Sequence, residues 1–159
     1  MVKVYTIGMM EHNAKNDPTV VAAEEMLNGA LFTIDEDHKS VAPTADGTDP
    51  LYIALNKFAG DDHGQDLKIA AGAYVNAYQL KAWDGMYLEI SQENIVDDID
   101  DLDVGDVLVA DTTYKFKAGE AGALSFNVAE KIMLGTAKGV RVQIVYEEGN
   151  VSTDSGNAD

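Results

Sequence analysis

Apolar residues in this chain come in short runs broken by Gly, Pro, Asn and Asp, and few of them recur at helical spacing. VKVYTI (2–7) alternates and predicts a strand. ALFTI (30–34) follows the Asn28-Gly29 turn, and LYIAL (51–55) follows Asp49-Pro50. DVLVA (106–110), YKFKA (114–118) and LSFNVAEKIML (124–134) read the same way. GVRVQIVYE (139–147) sets Val140, Val142, Ile144 and Tyr146 on one face and Arg141, Gln143 and Val145 on the other. AYVNAYQL (73–80) and MYLEI (86–90) flank Asp84-Gly85, a pair that favours positive φ and predicts a hairpin closed by a type I′ turn.

Two stretches depart from this pattern. TVVAAEEML (19–27) fits either a short helix capped by Asp17, with Pro18 at its first position, or an extended arm. SQENIVDD (91–98) predicts a short helix capped by Ser91, with Ile95, Ile99 and Leu102 as anchors to the core. The expected fold is mainly β: a compact sandwich or barrel-like domain of short antiparallel strands with one or two short helices, over residues 1–147. Residues 1–18 are an N-terminal arm or the first strand. Residues 148–159 lose all periodicity and are expected to be a disordered acidic tail.

A weak internal repeat changes this picture. Aligned without gaps, NGALFTIDEDHKSVAP (28–43) and VGDVLVADTTYKFKAG (104–119) share a glycine, an aspartate, a lysine and an alanine, with apolar pairs such as Leu31 with Val107 and Phe32 with Leu108. IALNK (53–57) echoes VAEKI (128–132) at nearly the same separation. The match predicts two related β units of about 75 residues.

With 159 residues and 46% hydrophobic content the chain can bury a core, and the absence of cysteine excludes disulfides and thiolate metal sites. The N-terminal stretch shows neither an apolar core of signal-peptide length nor a small-residue cleavage pattern. Nothing approaches the roughly 18 apolar residues of a membrane span, so a soluble protein is expected. A formal net charge of −17 opposes binding to nucleic acid and to anionic membranes, and favours solubility.

Candidate chemistry centres on DDIDDLDVGDVLVAD (97–111), seven aspartates in fifteen residues. It fails as an EF-hand loop: with Gly105 at the sixth position, Leu102 and Val104 fall where oxygen ligands are needed. An irregular calcium site of Asp98, Asp101, Asp103 and Asp106 competes with a plain solvated turn, and the turn is favoured. No lysine or arginine occurs from Ala82 to Tyr114, which predicts an unneutralised negative surface. No phosphate loop, GxSxG or HExxH pattern occurs; Asp154-Ser155-Gly156 lies in the expected tail and is rejected as a protease tripeptide. His12, His38 and His63 read as exposed loop histidines rather than metal ligands. Tyr74, Tyr78, Trp83 and Tyr87 form either a sugar-stacking platform or, more simply, core pairs. No catalytic residue and no cofactor are expected.

The succession NGALFTID…DP.YIA, DLKIAAGAYVNAYQLKAWDG, DLDVGDVLVAD…KFKAG and NVAEK…GVRVQIVYE resembles small β-rich proteins of tailed bacteriophages encoded beside the major capsid protein, several of which decorate and stabilise the head. The likeness covers most of residues 18–147. It implies a non-enzymatic virion protein on the capsid surface, made in the host cytoplasm, with the major capsid protein as partner and a homo-oligomer, a trimer, as its assembly. Val20, Val21, Met26 and Leu27 are the candidates for shell contact; the alternative is that they cover this protein's own core. An acidic DNA mimic that inhibits a host nuclease, and a carbohydrate-binding β module, are the other expectations.

Overall fold

The computed structural model describes residues 2–5, 16–44, 50–56 and 68–148. The strands are β1 (Val2–Tyr5), β2 (Asn16–Ala22), β3 (Met26–Leu27), β4 (Leu31–Ile34), β5 (Lys39–Val41), β6 (Tyr52–Ala54), β7 (Lys68–Ile69), β8 (Tyr74–Gln79), β9 (Tyr87–Ser91), β10 (Val107–Ala110), β11 (Phe116–Ala118), β12 (Leu124–Leu134) and β13 (Ala137–Tyr146). Helix among the described residues is confined to 3-10 turns at Leu80–Trp83, Gln92–Asn94 and Ile99–Asp101. The protein is mainly β and barrel-like.

The repeat read in the sequence is a repeat in three dimensions. Strands β2-β5-β4-β6-β8 close into a barrel, with β2 and β5 parallel (Ala22 opposite Ser40). The second sheet runs β1-β9-β13-β12-β10-β11, and a parallel bridge from Ile95 to Phe116 brings its last strand back beside the end of β9. Strands β9-β13-β12-β10-β11 therefore repeat the strand order of the first barrel, their ring closed by that one bridge. The register repeats as well. Thr33 faces Val41 and Ile34 faces Ser40; 76 residues later Val109 faces Lys117 and Ala110 faces Phe116. Leu31 faces Ile53 as Val107 faces Asn127, Ala54 faces Ala77 as Val128 faces Val142, and Val20 faces Val75 as Ile90 faces Val140.

The loops repeat too. Gly29 (φ 90°) donates its N–H to the Ala54 carbonyl at 2.7 Å, and Gly105 (φ 100°) donates to that of Val128 at 2.8 Å. Positive φ at both positions explains the shared glycine. The β4–β5 and β10–β11 turns each hold a non-glycine residue in the left-handed region, His38 (φ 62°) and Tyr114 (φ 64°), three residues after the shared aspartate. The His38 and Tyr114 N–H groups donate back to the Asp35 and Asp111 carbonyls.

Alternation along β4 joins the barrels. Successive strand side chains point to opposite faces. Phe32 and Ala54 fill the first barrel, while Leu31 and Ile53 join a core cluster with Leu88, Leu108, Phe116, Phe126 and Val142 of the second. This second face explains why Leu31, Phe32 and Thr33 are all buried in a short strand. Phe116 and Phe126 meet edge-on at 4.8 Å in that cluster, an arrangement that favours contact between ring edge and ring face.

Three sequence expectations are corrected. Residues 19–27 form no helix: the β-branched run Thr19-Val20-Val21 lies in β2, with a bulge between Asp17 and Val20 at Pro18. Asp17 does cap, but as part of the bulge, with Oδ1 accepting the Thr19 N–H at 3.0 Å. The expected β8–β9 hairpin does not form. β8 pairs with β2 and β6, β9 with β1 and β13, and the Leu80–Trp83 helical turn separates them. Asp84 has φ −50° and Gly85 φ 78°, the angles of a type II turn, which carries the chain from one barrel to the other. SQENIVDD forms a single 3-10 turn at Gln92–Asn94, with a second one beyond it at Ile99–Asp101, instead of one helix, and Ser91 makes no side-chain capping bond. Gln92 holds that segment by donating to the Asp97 carbonyl and accepting from Ile99 N–H. VKVYTI contributes β1, with Val2 in the shared core. Residues 149–159 of the expected tail lie outside the described residues.

Candidate functional site

The aspartate-rich segment leads from β9 into β10, and its carboxylates mostly serve their own backbone. Asp98 Oδ1 accepts from Asp100 N–H at 3.0 Å and Asp106 Oδ2 from Asp103 N–H at 2.7 Å. Asp97 Oδ2 reaches the Ala118 N–H at 2.6 Å, and Asp111 Oδ2 takes the Thr113 N–H at 3.0 Å. Ile99 and Leu102 anchor the segment in the core, as the sequence predicts. Asp98, Asp101, Asp103 and Asp106 do not come together as a cage. Among the described residues no group of three or more His, Asp or Glu is placed to hold a metal ion.

The expectation of an unneutralised surface is corrected at Glu89, Asp100 and Asp111, which cations from distant strands reach. Lys138 of β13 pairs with the Asp100 carboxylate, and Lys131 of β12 donates to its carbonyl at 3.2 Å. Lys117 of β11 pairs with Asp111 at 3.0 Å, and Arg141 bridges Glu89 (2.8 Å) and Glu130 (2.6 Å). The hydrogen bond from Lys138, and its charge, hold the Asp100 carboxyl below its ordinary value. The Thr113 hydroxyl, followed by Lys117, does the same for Asp111 against opposing burial.

The aromatic group divides. Trp83 is buried and its ring meets Tyr78 at 5.3 Å, whereas Tyr74 is 70% exposed. Tyr78 and Trp83 thus belong to the core, and no line of exposed rings forms from the four. Of the shell-contact candidates, Val20 and Met26 lie in the first barrel's core, so their side chains do not face a partner; Val21 and Leu27 are half-buried. Exposed large apolar side chains occur instead at Tyr74, Val96, Val104 and Met133. His38 is exposed and pairs through Nε2 with Asp17 Oδ2 at 3.0 Å. His12, His63 and Asp154-Ser155-Gly156 lie outside the described residues.

A second polar construction joins the barrels, and sequence reasoning missed it. The carbonyl of Tyr114, in the second barrel's turn, accepts the Leu31 N–H of the first at 2.9 Å. Its hydroxyl donates to Glu24 Oε1 at 2.7 Å, and burial, then Glu24, push its pKa well above 10. Asparagine amides extend the junction. Asn94 Nδ2 donates to the Asn28 carbonyl at 3.3 Å, and the Asn28 side chain both accepts from and donates to the Asn56 backbone (2.8 and 3.2 Å). The Asn56 side chain in turn accepts the Asn76 N–H at 2.7 Å and donates to the Tyr74 carbonyl at 2.9 Å. These amides supply the donors and acceptors that an adjoining strand would supply. The available signal was the repeat alignment, which sets Tyr114 opposite His38 and so marks a position where the units diverge.

Compared with known proteins, the chain matches no family model, no curated protein and no solved structure. No helix of the described residues is long and apolar enough to cross a membrane.

Proposed function

We propose that the chain is a structural, non-enzymatic virion protein that binds the major capsid protein non-covalently on the outer surface of a phage head and stabilises the shell. The carrying observation is the core cluster that two like barrels share, with loop carboxylates and amides committed to the protein's own backbone. A shell part used in many copies needs rigidity and modest affinity per contact, because multivalency supplies the rest. The acidic surface would keep such a part off DNA and anionic membranes. Val21 and Leu27 stay candidates for shell contact, with a trimer as the proposed assembly. The committed carboxylates of Asp97, Asp98, Asp106 and Asp111 fit this reading better than a DNA mimic, which must present its charges to a nuclease.

The test is co-sedimentation of the purified protein with expanded, undecorated heads of its phage, with and without EDTA. Saturable binding at a fixed ratio to the major capsid protein is expected, unchanged by EDTA. Absence of binding together with inhibition of a host nuclease would replace the proposal with the DNA mimic.

A further inference from the structure

Asn28-Gly29 is the chain's one Asn-Gly step. In an unconstrained step of this kind the glycine nitrogen gives up its proton to base and attacks the asparagine Cγ. A C–N bond closes a five-membered imide, ammonia leaves, and water opens the ring to aspartate or isoaspartate. Glycine is the most permissive following residue because no side chain obstructs the approach. The reaction needs only water and a backbone free to turn.

Here both reacting groups are engaged by other partners. The Gly29 N–H is committed to the Ala54 carbonyl at 2.7 Å. The Asn28 amide is fixed at both ends by the Asn56 backbone, Oδ1 accepting at 2.8 Å and Nδ2 donating at 3.2 Å. Val2 of β1 sits so close over Gly29 that a Cβ there would lie 2.4 Å from Val2 Cγ2. Asn94 of the second barrel holds the Asn28 carbonyl. Strand β1, the first barrel and the second barrel therefore converge on this one step.

We propose that Asn28-Gly29 is a latent self-modification site, kept unreactive by this packing and released when β1 leaves β9. The product cannot restore the junction. A carboxylate at position 28 still accepts the Asn56 N–H, but it has no hydrogen to give the Asn56 carbonyl and sets oxygen against oxygen. Isoaspartate also inserts a main-chain carbon next to the positive φ of Gly29. Conversion is thus a one-way record that the molecule has opened, and it stands independently of the capsid reading.

The full chain is incubated at mildly alkaline pH, folded and in denaturant, and conversion at Asn28 is followed by peptide mass mapping. Val2→Ala is run beside it, with circular dichroism to establish its fold; the near-isosteric Val2→Thr takes its place if the alanine variant does not fold. The folded wild type is expected to convert at least about tenfold more slowly than the unfolded chain, the suppression that ~1.4 kcal/mol of opening free energy gives. The folded Val2 variant is expected to convert several-fold faster than folded wild type. Equal rates in folded and unfolded wild type, no conversion in denaturant, or a folded Val2 variant no faster than wild type would each overturn the proposal.

Discussion

The two barrels share their hydrogen-bond register and differ in what meets the outer edge of their first strand. On β9 that edge takes β1, with Val2 opposite Ile90 and Val4 opposite Leu88. On β2 the corresponding stretch is blunted: Pro18 has no N–H, Asp17 turns its carboxylate to the Thr19 N–H and hydroxyl, and His38 folds over to pair with Asp17. The equivalent turns diverge in the same sense. His38 stays within its own barrel, while Tyr114 reaches across to Leu31 and Glu24. One backbone plan thus closes its own edge in one copy and serves as the acceptor of a strand and donor of a tie in the other. A few side chains at edges and turns decide which.

The largest test of this comparison is Phe126→Ala. Removing a fully buried ring from the shared cluster is expected to cost about 3–5 kcal/mol. Because Leu31 and Ile53 pack in that cluster, both barrels should melt in one calorimetric transition at a lower temperature. Two separated transitions would show instead that the barrels are independent.

Glycine substitutions sharpen the contrast. Both Gly29→Ala and Gly105→Ala incur the strain of a positive φ, about 1–2 kcal/mol. A Cβ at Gly105 meets nothing within 4 Å, whereas one at Gly29 collides with Val2, adding about 1–3 kcal/mol of overpacking. Denaturant titration should rank Gly29→Ala well below Gly105→Ala; equal losses would mean that Val2 does not press on Gly29.

Tyr114→Phe is expected to cost about 1 kcal/mol by leaving Glu24 without its donor, and His38→Ala less, since it breaks only an exposed pair. The raised Tyr114 pKa gives this tie a pH signature. Its stabilisation is complete below the ordinary value of 10.0 and is lost as pH rises toward the raised folded value. Wild type should therefore lose more stability than Tyr114→Phe above that pH, and parallel alkaline profiles would count against the tie.

The smallest effect lies in acid. Asp17 in β2 and Asp111 after β10 are both held below 3.8, chiefly by the hydroxyls of Thr19 and Thr113. Each contributes stability above 3.8 that fades as pH falls through its lowered value. Asp111→Asn should flatten part of the acid limb of the stability curve by a few tenths of a kcal/mol, the scale of a surface ion pair.

Where burial imposes alternation, the elements were readable from the residues: β12 spans the predicted 124–134, and Val140, Val142 and Ile144 of β13 are buried as their period requires. Closure of the rings was not readable. It depends on β5, three residues of which only Ser40 is buried, and on the bulged, proline-bearing β2, neither of which carries an alternating apolar signal. The repeat holds in three dimensions over 28–43, whereas its second segment lies one residue away from the sequence match. Hydrogen bonding sets Ala54, not Ile53, against Val128, because each accepts from the corresponding glycine. Asp84-Gly85 misled because the pair suits a type II turn as well as a type I′ turn, and a dipeptide does not say which strand its neighbour will join. Of the site, the anchoring of the aspartate segment was legible, while its neutralising lysines and the Tyr114 tie depend on long-range placement that no local window contains.

Strand β1 is made early and completed late. Its partner β9 follows more than eighty residues further along the chain, a delay of roughly 4–17 s at ribosomal speeds of about 5–20 residues per second. Through that interval Val2 has no slot to enter, and the first barrel must mature with Gly29 uncovered. The arrival of β9 is then the event that lets β1 dock and cover Gly29, before β10 to β13 have emerged to complete the second ring.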